Sequence, residues 1–348
     1  MTVSAHSWSQ VLTALVKDGY LDEEGAAWAM SEIMSGEATP AQIAGFAIAM
    51  TIVPESVDAV TGLVRTMLAN AAPAHLDIPC VDIVGTGGDQ RHTVNISTMA
   101  SLVAAAAGIP VAKHGNRAAS SSCGAADLLE QLGIRLDLDG KAVVRCIQDV
   151  GIGFFFAPQF HSGLRFAGPP RKELGVPTIF NFLGPLSNPA SPRALAVGCA
   201  DSSMAPVLAE VMARRGVSAM VFRGDDGLDE LTTTTTSALW LVTDGTVRAT
   251  SLDPTRLGIS PSRPGDLVGG LPPHNAAITR LLLEGARSAV RDTVLLNCAA
   301  AIVAFEGIPA TDDALYAAFE DGIGRAATAI DAGNASEVLA RWVEASNA

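Results

Sequence analysis

Along the first 70 or so residues apolar side chains recur every three or four positions and never alternate. Asp22 precedes EEGAAWAMSEIM, which places acids in the first turn of a helix that Gly36 ends. Thr39-Pro40 supplies an N-cap and a proline at the first helical position, ahead of Ile43, Phe46, Ala47 and Met50. Pro54 opens another helical run through Val57, Val60, Leu63, Val64 and Met67. The pattern predicts a small helical domain over residues 1–73.

From Cys80 the period changes. CVDIV, GIPVAKH, RLDL, GFFFA, RALAVGCA and SAMVFRG read as strands. Helical runs lie between them, from about Ser97 to Ala107, through Asp127 to Gln131, near Lys141 to Val150, and from about Met204 to Arg215. Strands alternating with helices predict a mainly parallel sheet covered on both faces. Residues 161–190 break the rhythm with Pro, Gly and a short helix near Arg171 to Leu174, and read as an excursion toward the helical domain. The expected fold is α/β: a small all-helical N-terminal domain completed by that excursion, and a large α/β domain over 78–160 and 191–348 with a mainly parallel central sheet.

Composition narrows the class. Of 348 residues 49% are apolar and 17% charged, which fits a folded globular chain. The net charge of −13 argues against general nucleic-acid binding, because it repels a phosphate backbone. The five cysteines (Cys80, Cys123, Cys146, Cys199, Cys298) show no C-x-x-C spacing, so free thiols in a reducing cytoplasm are expected. The N-terminus has no basic stretch followed by an apolar one, and the longest uncharged stretch, Thr93 to Ala112, is broken by Gly108-Ile109-Pro110. Neither a signal peptide nor a membrane span is expected.

Four stretches carry candidate chemistry. Gly85-Thr86-Gly87-Gly88-Asp89 follows a strand and leads to a helix N-terminus through Asn95-Ile96-Ser97-Thr98. Backbone N–H groups there suit an anion, although a tight turn would read the same, and neither G-x-G-x-x-G nor a P-loop is present. Ser97 and Thr98 are good N-caps as well as possible ligands. Lys113-His114-Gly115-Asn116-Arg117 and Ala118-Ala119-Ser120-Ser121-Ser122 follow the next strand, at the same end of a parallel sheet. A cationic, serine-rich loop beside a glycine loop suits a phosphate-rich ligand at a switch point, and a solvated basic turn is the plainer reading. Gly224-Asp225-Asp226-Gly227-Leu228-Asp229-Glu230 places carboxylates at a strand end, as Mg²⁺ or an ordinary acidic turn would have it. Arg171 suits a carboxylate, and His161 is the weaker candidate beside it.

In order and spacing, VDIVGTGGD…TVNIST, AKHGNRAASS…ADLLEQLG, IGFFFAP…HSGLRFAGPPRKELGVPTIFNFLGPLSNPA and GDDGLDELT resemble the anthranilate phosphoribosyltransferases over nearly the whole chain. That resemblance implies a fold shared with pyrimidine nucleoside phosphorylases and a homodimer. It implies transfer of the 5-phosphoribosyl group from 5-phosphoribosyl 1-diphosphate (PRPP) to anthranilate, with Mg²⁺, and no nucleic-acid or membrane partner. Carried over by residue, the donor contacts are Gly85, Gly88, Asp89, Thr93, Asn95, Ile96, Ser97, Thr98, Ala125 and the loop from Lys113 to Ser121. That loop comprises Lys113, His114, Gly115, Asn116, Arg117, Ala118, Ala119, Ser120 and Ser121. Ser97, Asp229 and Glu230 match the Mg²⁺ ligands; Gly85, Asn116 and Arg171 match anthranilate contacts, with His161 along the entry path. No general base is implied, since the aromatic amine is already neutral. Gln90-Arg91-His92 departs from the family pattern, and its charge is expected to face solvent. Cys123, Ala125, Ser162 and Leu164 depart too, the last two beside the entry path, where acceptor selectivity is set. A nucleoside phosphorylase of the same fold and a nucleic-acid-binding relative are the rival readings; the HGNR loop disfavours the first and the acidic charge the second.

Overall fold

The computed structural model describes residues 6–53, 56–118 and 121–348. The opening of the helical run at Pro54, and Ala119 and Ser120 of the second loop, lie outside the described residues.

Among the described residues four α-helices, with a π-helical turn (Ala14–Asp18) after the first, lead the chain: α1 (Trp8–Thr13), α2 (Glu23–Ser35), α3 (Pro40–Ile52) and α4 (Val57–Ala69). Their ends follow local chemistry. The Asp22 carboxylate accepts the Gly25 N–H, Gly36 closes α2 at φ +83°, and Thr39 and Gln42 form a reciprocal capping box ahead of Pro40. Gly62 of α4 lies against α2 so closely that a Cβ would sit 2.1 Å from the Glu23 carbonyl oxygen.

Among the described residues the large domain holds seven strands: β1 (Val81–Gly85), β2 (Val111–Gly115), β3 (Ile152–Phe156), β4 (Ala194–Gly198), β5 (Ser218–Gly224), β6 (Ser237–Thr243) and β7 (Thr246–Leu252). The sheet order is β3-β2-β1-β4-β5-β6-β7, parallel through β5 and antiparallel from β5 to β7. Around it lie α5 (Ile96–Ala106), α6 (Ala125–Leu132), α7 (Gly140–Val150) and α8 (Ala157–Phe160); α9 (Gly168–Leu174) packs on α3, and α10 (Met204–Arg214), α11 (Pro272–Leu283), α12 (Ala289–Glu306), α13 (Asp312–Asp331) and α14 (Asn334–Asn347) complete the large domain. The chain leaves β1 toward β2 on one side and returns to β4 on the other. The seam between β1 and β4 is therefore the switch point where such sheets place ligands.

Two expectations change. RLDL is extended but outside the sheet: Ile134 and Leu136 are buried, while the Arg135 N–H goes to the Ser346 hydroxyl of α14. The β6–β7 hairpin was not anticipated. Its turn, Asp244-Gly245, takes positive φ at both residues (49° and 73°), the geometry that matches strand twist.

Leu183, Leu186 and Phe180 of the excursion share a buried cluster with Met30, Phe46 and Leu63 of the helices. A polar seam ties the same segment to the sheet. Asn188 donates to the Asp82 carboxylate (2.9 Å) and the Ala112 carbonyl (2.7 Å), and Asp82 also accepts the His114 N–H (3.2 Å). Burial raises the Asp82 carboxyl to about 6, against the lowering by the Lys113 charge.

Candidate functional site

The loops after β1 and β5 meet at the switch point, and the loop after β2 is tied to the first of them through Asn95. Gly85 and Gly198 end β1 and β4 side by side, and Asp229 rests on both. A Cβ on Gly85 would lie 2.2 Å from Asp229 Oδ2, and one on Gly198 only 1.6 Å from the Asp229 carbonyl oxygen. These two glycines are bare because another segment of the same chain occupies their side-chain space.

The acidic turn divides its carboxylates between two tasks. Asp226 accepts hydrogen bonds from the hydroxyls of Thr232 (2.8 Å) and Thr234, and Asp225 accepts one from Thr236. The threonine run therefore holds the turn together. Asp229 and Glu230 face the site instead. Asn297 of α12 fixes them by gripping the next residue: its Oδ1 accepts the Leu231 N–H (3.0 Å) and its Nδ2 donates to the Leu231 carbonyl (2.8 Å).

Asp229 and Glu230 are buried at 9% and 7% exposure. Burial, and next the nearby Asp89 charge, push the Asp229 carboxyl up to about 7. Glu230 is raised well above its ordinary value by burial and then by Asp229, with the Lys113 ammonium opposing. Asp89 keeps Oδ2 buried with no hydrogen-bond partner among the described residues. Crowded buried carboxylates with an orphaned oxygen suit a divalent cation that brings its remaining ligands with it. No group of three or more His, Cys, Asp or Glu side chains among the described residues is arranged to hold a metal alone. A Mg²⁺ here therefore fits as one shared between Asp229, Glu230 and the oxygens of a bound phosphate.

In the glycine loop the Thr86 N–H goes to the Gly198 carbonyl, the Gly87 N–H to Asp229 Oδ2 (2.7 Å) and the Arg91 N–H to Asp89 Oδ1 (3.1 Å). Among the described residues the N–H groups of Gly88 and Asp89 take no protein acceptor, which leaves donors for an anion. Gln90 and His92 hold left-handed backbone (φ 57° and 53°), and the Arg91 side chain between them donates to the Asp226 carbonyl. Gln90, Arg91 and His92 are exposed, as expected, and the Arg91 charge in addition latches the glycine loop to the acidic turn.

Helix α5 begins one residue earlier than the Ser97-Thr98 caps suggested, with Asn95 as N-cap. Ile96 is buried, the Thr98 hydroxyl is buried without a partner, and the Ser97 N–H faces Glu230. The Asn95 side chain donates to the Cys123 carbonyl (2.9 Å) and accepts from Asn275 Nδ2 (2.9 Å). Thr93 pairs with Val268 in an isolated bridge.

The second loop closes at a narrow neck. Gly124 lies so near Ala118 that a Cβ would sit 2.3 Å from its nitrogen. Asp127 Oδ2 accepts the N–H groups of both Ala118 and Gly124 at 2.9 Å, and its Oδ1 pairs with Arg117 (3.0 Å). Arg117 also forks onto Glu130 (2.8 and 3.0 Å), so its guanidinium faces α6. Asn116 and Ser121 are exposed, and Gly115 and Ala125 pack against each other.

Lys113, His114 and His161 are placed in the interior. Lys113 is 1% exposed, donates to the Ile83 carbonyl (2.6 Å) and lies between Asp82 and Glu230. His114 Nδ1 meets the Gly184 carbonyl (3.0 Å) and His161 Nε2 the Ser187 carbonyl (2.7 Å), with the rings edge to face at 5.3 Å. Burial, then the neighbouring His161, lowers His114 to about 3, so both rings stay neutral parts of the seam. Arg171, by contrast, is half-buried over the Phe180 ring (5.5 Å), and no carboxylate of the described residues pairs with it. Among the described residues its one side-chain hydrogen bond is a long one to Asn181 Oδ1 (3.5 Å). Burial with no counter-ion lowers its affinity for the proton, the electrostatic setting that a carboxylate ligand would relieve.

The chain is similar to known proteins over nearly its whole length. Residues 77–336 match the a/b domain of a glycosyl transferase family, and residues 9–71 match that family's helical bundle domain. The anthranilate phosphoribosyltransferase of Acidothermus cellulolyticus is 56% identical over 348 residues, covering all of this chain and 98% of the relative. That of Thermobifida fusca is 53% identical, covering 99% of each. Among solved structures, the Thermus thermophilus anthranilate phosphoribosyltransferase aligns at TM-score 0.89 with 38% identity, over 97% of this chain and 99% of that one. The Saccharomyces cerevisiae enzyme in complex with PRPP and Mg aligns at TM-score 0.83 with 25% identity, over 98% and 93%.

Proposed function

The chain belongs to the anthranilate phosphoribosyltransferases of the glycosyl transferase family, and from that premise we propose how its residues divide the reaction. It is a pentosyltransferase that moves the 5-phosphoribosyl group from PRPP to the amine of anthranilate, releases pyrophosphate, and serves tryptophan biosynthesis with Mg²⁺. The observation that carries the assignment of roles is the buried Asp229–Glu230 pair seated on two side-chain-free strand ends, beside unpartnered N–H groups.

When bound, Mg²⁺ supplies charge neutralisation for the departing pyrophosphate. Asp229 and Glu230 hold it, with Ser97 at the start of α5 beside them. The free N–H groups of Gly88 and Asp89 bind diphosphate oxygens, which stabilises the charge that grows as the anomeric bond breaks. Asn116, Arg117, Ala118 and Ser121 form the opposing wall, chiefly through backbone, because the Arg117 guanidinium is engaged by Asp127 and Glu130. Thr93, Asn95, Ile96, Thr98, Gly115, Ala125, Lys113 and His114 shape that wall from behind. Ala119 and Ser120 belong to the same donor loop by family pattern.

The acceptor amine is neutral at pH 7 and needs orientation more than deprotonation. Arg171 grips the anthranilate carboxylate, with Gly85 and Asn116 at the ring, and His161 supports the excursion that carries Arg171. No side chain is assigned as a general base. We also propose a cytoplasmic homodimer, supported by five free buried cysteines and by the exposed apolar residues Val16 and Ile52 on the helical domain. No helix of the described residues is long and apolar enough to cross a membrane.

The test mixes protein, Mg²⁺, PRPP and anthranilate and follows the loss of anthranilate fluorescence. Absence of any loss overturns the reading. In the same assay Arg171→Ala is expected to raise KM for anthranilate by about 10²-fold, the worth of a charge-assisted pair of ~2–3 kcal/mol, with KM for PRPP little changed. Unchanged anthranilate kinetics would remove Arg171 from the acceptor site.

A further inference from the structure

We propose that Asn275, on the first turn of α11, is a positioning residue for the phosphoribosyl donor, because it closes a one-way relay of hydrogen bonds that sets the spacing of the two donor loops. The proposal rests on the donor-loop assignment above. Asn275 is 2% exposed and 180 residues from its partner Asn95. Its Oδ1 accepts the Gly270 N–H at 2.7 Å, and its Nδ2 donates to Asn95 Oδ1 at 2.9 Å. Asn95 Nδ2 in turn donates to the Cys123 carbonyl at 2.9 Å. The relay therefore runs Gly270 N–H, Asn275, Asn95, Cys123 carbonyl, with donor and acceptor alternating at every step. Its two outer ends are backbone groups, and rotating either amide would set acceptor against acceptor.

Each end is built into a loop. The strap Leu267–Gly270 runs along the glycine loop: Val94 donates to the Leu267 carbonyl (2.9 Å) and Gly269 to the His92 carbonyl (2.8 Å). Gly269 fits because a Cβ there would be 2.9 Å from Asn275 Oδ1, the Thr93 carbonyl oxygen and the Val94 nitrogen alike. At the other end Cys123 is buried and adjoins Gly124, the neck of the second loop. The buried Asn275 amide thus joins the strap to the first loop, and through Asn95 to the second. It lies outside the acceptor side, where Arg171 sits on α9. Asn95 spends one N–H and one lone pair on the relay, which leaves one of each to meet a ligand. Fixing those two also fixes the direction of the two that remain.

The experiment compares Asn275→Ala and the volume-conserving Asn275→Leu with wild type. It measures steady-state kinetics, PRPP binding with Mg²⁺ by calorimetry in the absence of anthranilate, and Tm. Loss of two hydrogen bonds to buried groups predicts a rise of about 10- to 100-fold in both KM and Kd for PRPP. KM for anthranilate at saturating donor should stay within about twofold, since a positioning defect confined to the donor leaves acceptor binding alone. In Asn95→Ala/Asn275→Ala the rise should fall well short of the product of the single effects, as expected for members of one relay. Should both single variants fail to fold, Asn275→Gln, which retains the amide one methylene farther out, must still raise KM for PRPP. Wild-type donor affinity in a folded variant overturns the proposal, as does a lowered Tm with KM unchanged. A wild-type protein that binds PRPP without turning over anthranilate would instead refute the acceptor assignment, and the relay would still be read from the binding data.

Discussion

Asp229→Asn combined with Glu230→Gln is expected to lower Mg²⁺-dependent turnover by about 10³-fold or more, since a bound cation contributes several kcal/mol and each ~1.4 kcal/mol is tenfold. The residues are well placed for this test. Both are buried, and the backbone that presents them is held elsewhere, by Asn297 on Leu231 and by the threonine hydroxyls on Asp225 and Asp226. Amide replacements conserve shape, so the loop should keep its path. Stability should move the other way. In the absence of Mg²⁺ the folded protein holds Asp89, Asp229 and Glu230 against one another, and burial already drives the latter two toward the protonated form. Neutral amides remove that opposition, so Tm without added metal should stay level or rise, while the gain in Tm on adding Mg²⁺ with PRPP should vanish. Wild-type turnover refutes the metal assignment. A collapse of Tm shows instead that the carboxylates hold the loop.

Gly198→Ala is expected to lower kcat/KM by about 10²-fold or more, although residue 198 touches no substrate in the assignment above. A misplacement of ~1 Å in a catalytic group can have that effect. Here the displacement is forced. The new Cβ would meet the Asp229 carbonyl oxygen at 1.6 Å and its carbon at 2.3 Å, both backbone atoms, and β4 is pinned between β1 and β5. Asp229 must therefore move, and Glu230 with it. Gly85→Ala presses on the carboxylate end of the same residue at 2.2 Å, where rotation gives some relief. Its effect should fall more on the Mg²⁺ requirement and less on Tm. Gly265→Ala serves as the control, because nothing lies within 4 Å of its added Cβ. Should Gly198→Ala turn over at the wild-type rate, the close seat of Asp229 on β4 has no bearing on catalysis.

The extent to which these features can be read from the chain depends on their range. The glycine loop and the excursion are local turn chemistry, and Thr39-Pro40 names its own helix start. The hairpin also carries a local sign: WLVTDGTVRATS sets Asp-Gly between two β-rich runs. RLDL misled because alternation reports burial of one face and says nothing of strand pairing; here Ile134 and Leu136 join the core cluster that includes Val338 and Trp342 of α14. Lys113 and His114 stand in the strand half of their motif, where side chains alternate between two covered faces of the sheet and both are buried, while Asn116 emerges beyond the strand end. Asn275 and Asn297 are beyond sequence reasoning of this kind. Each is one polar residue in a helix, and its meaning lies in a partner 180 or 66 positions away.

The shared core of the excursion and the helical bundle has an evolutionary consequence. In the proposed assignment donor chemistry is embedded in strand ends where even a methyl group is excluded, so that half of the site has little freedom to drift. The residues beside Arg171, by contrast, ride on a segment anchored by apolar packing and one polar seam, with Ser162 exposed and Leu164 half-buried on its rim. Lineages that recruit this fold for another acceptor would be expected to record the change there, in a stretch of some 30 residues, while the sugar-activating half passes through unaltered.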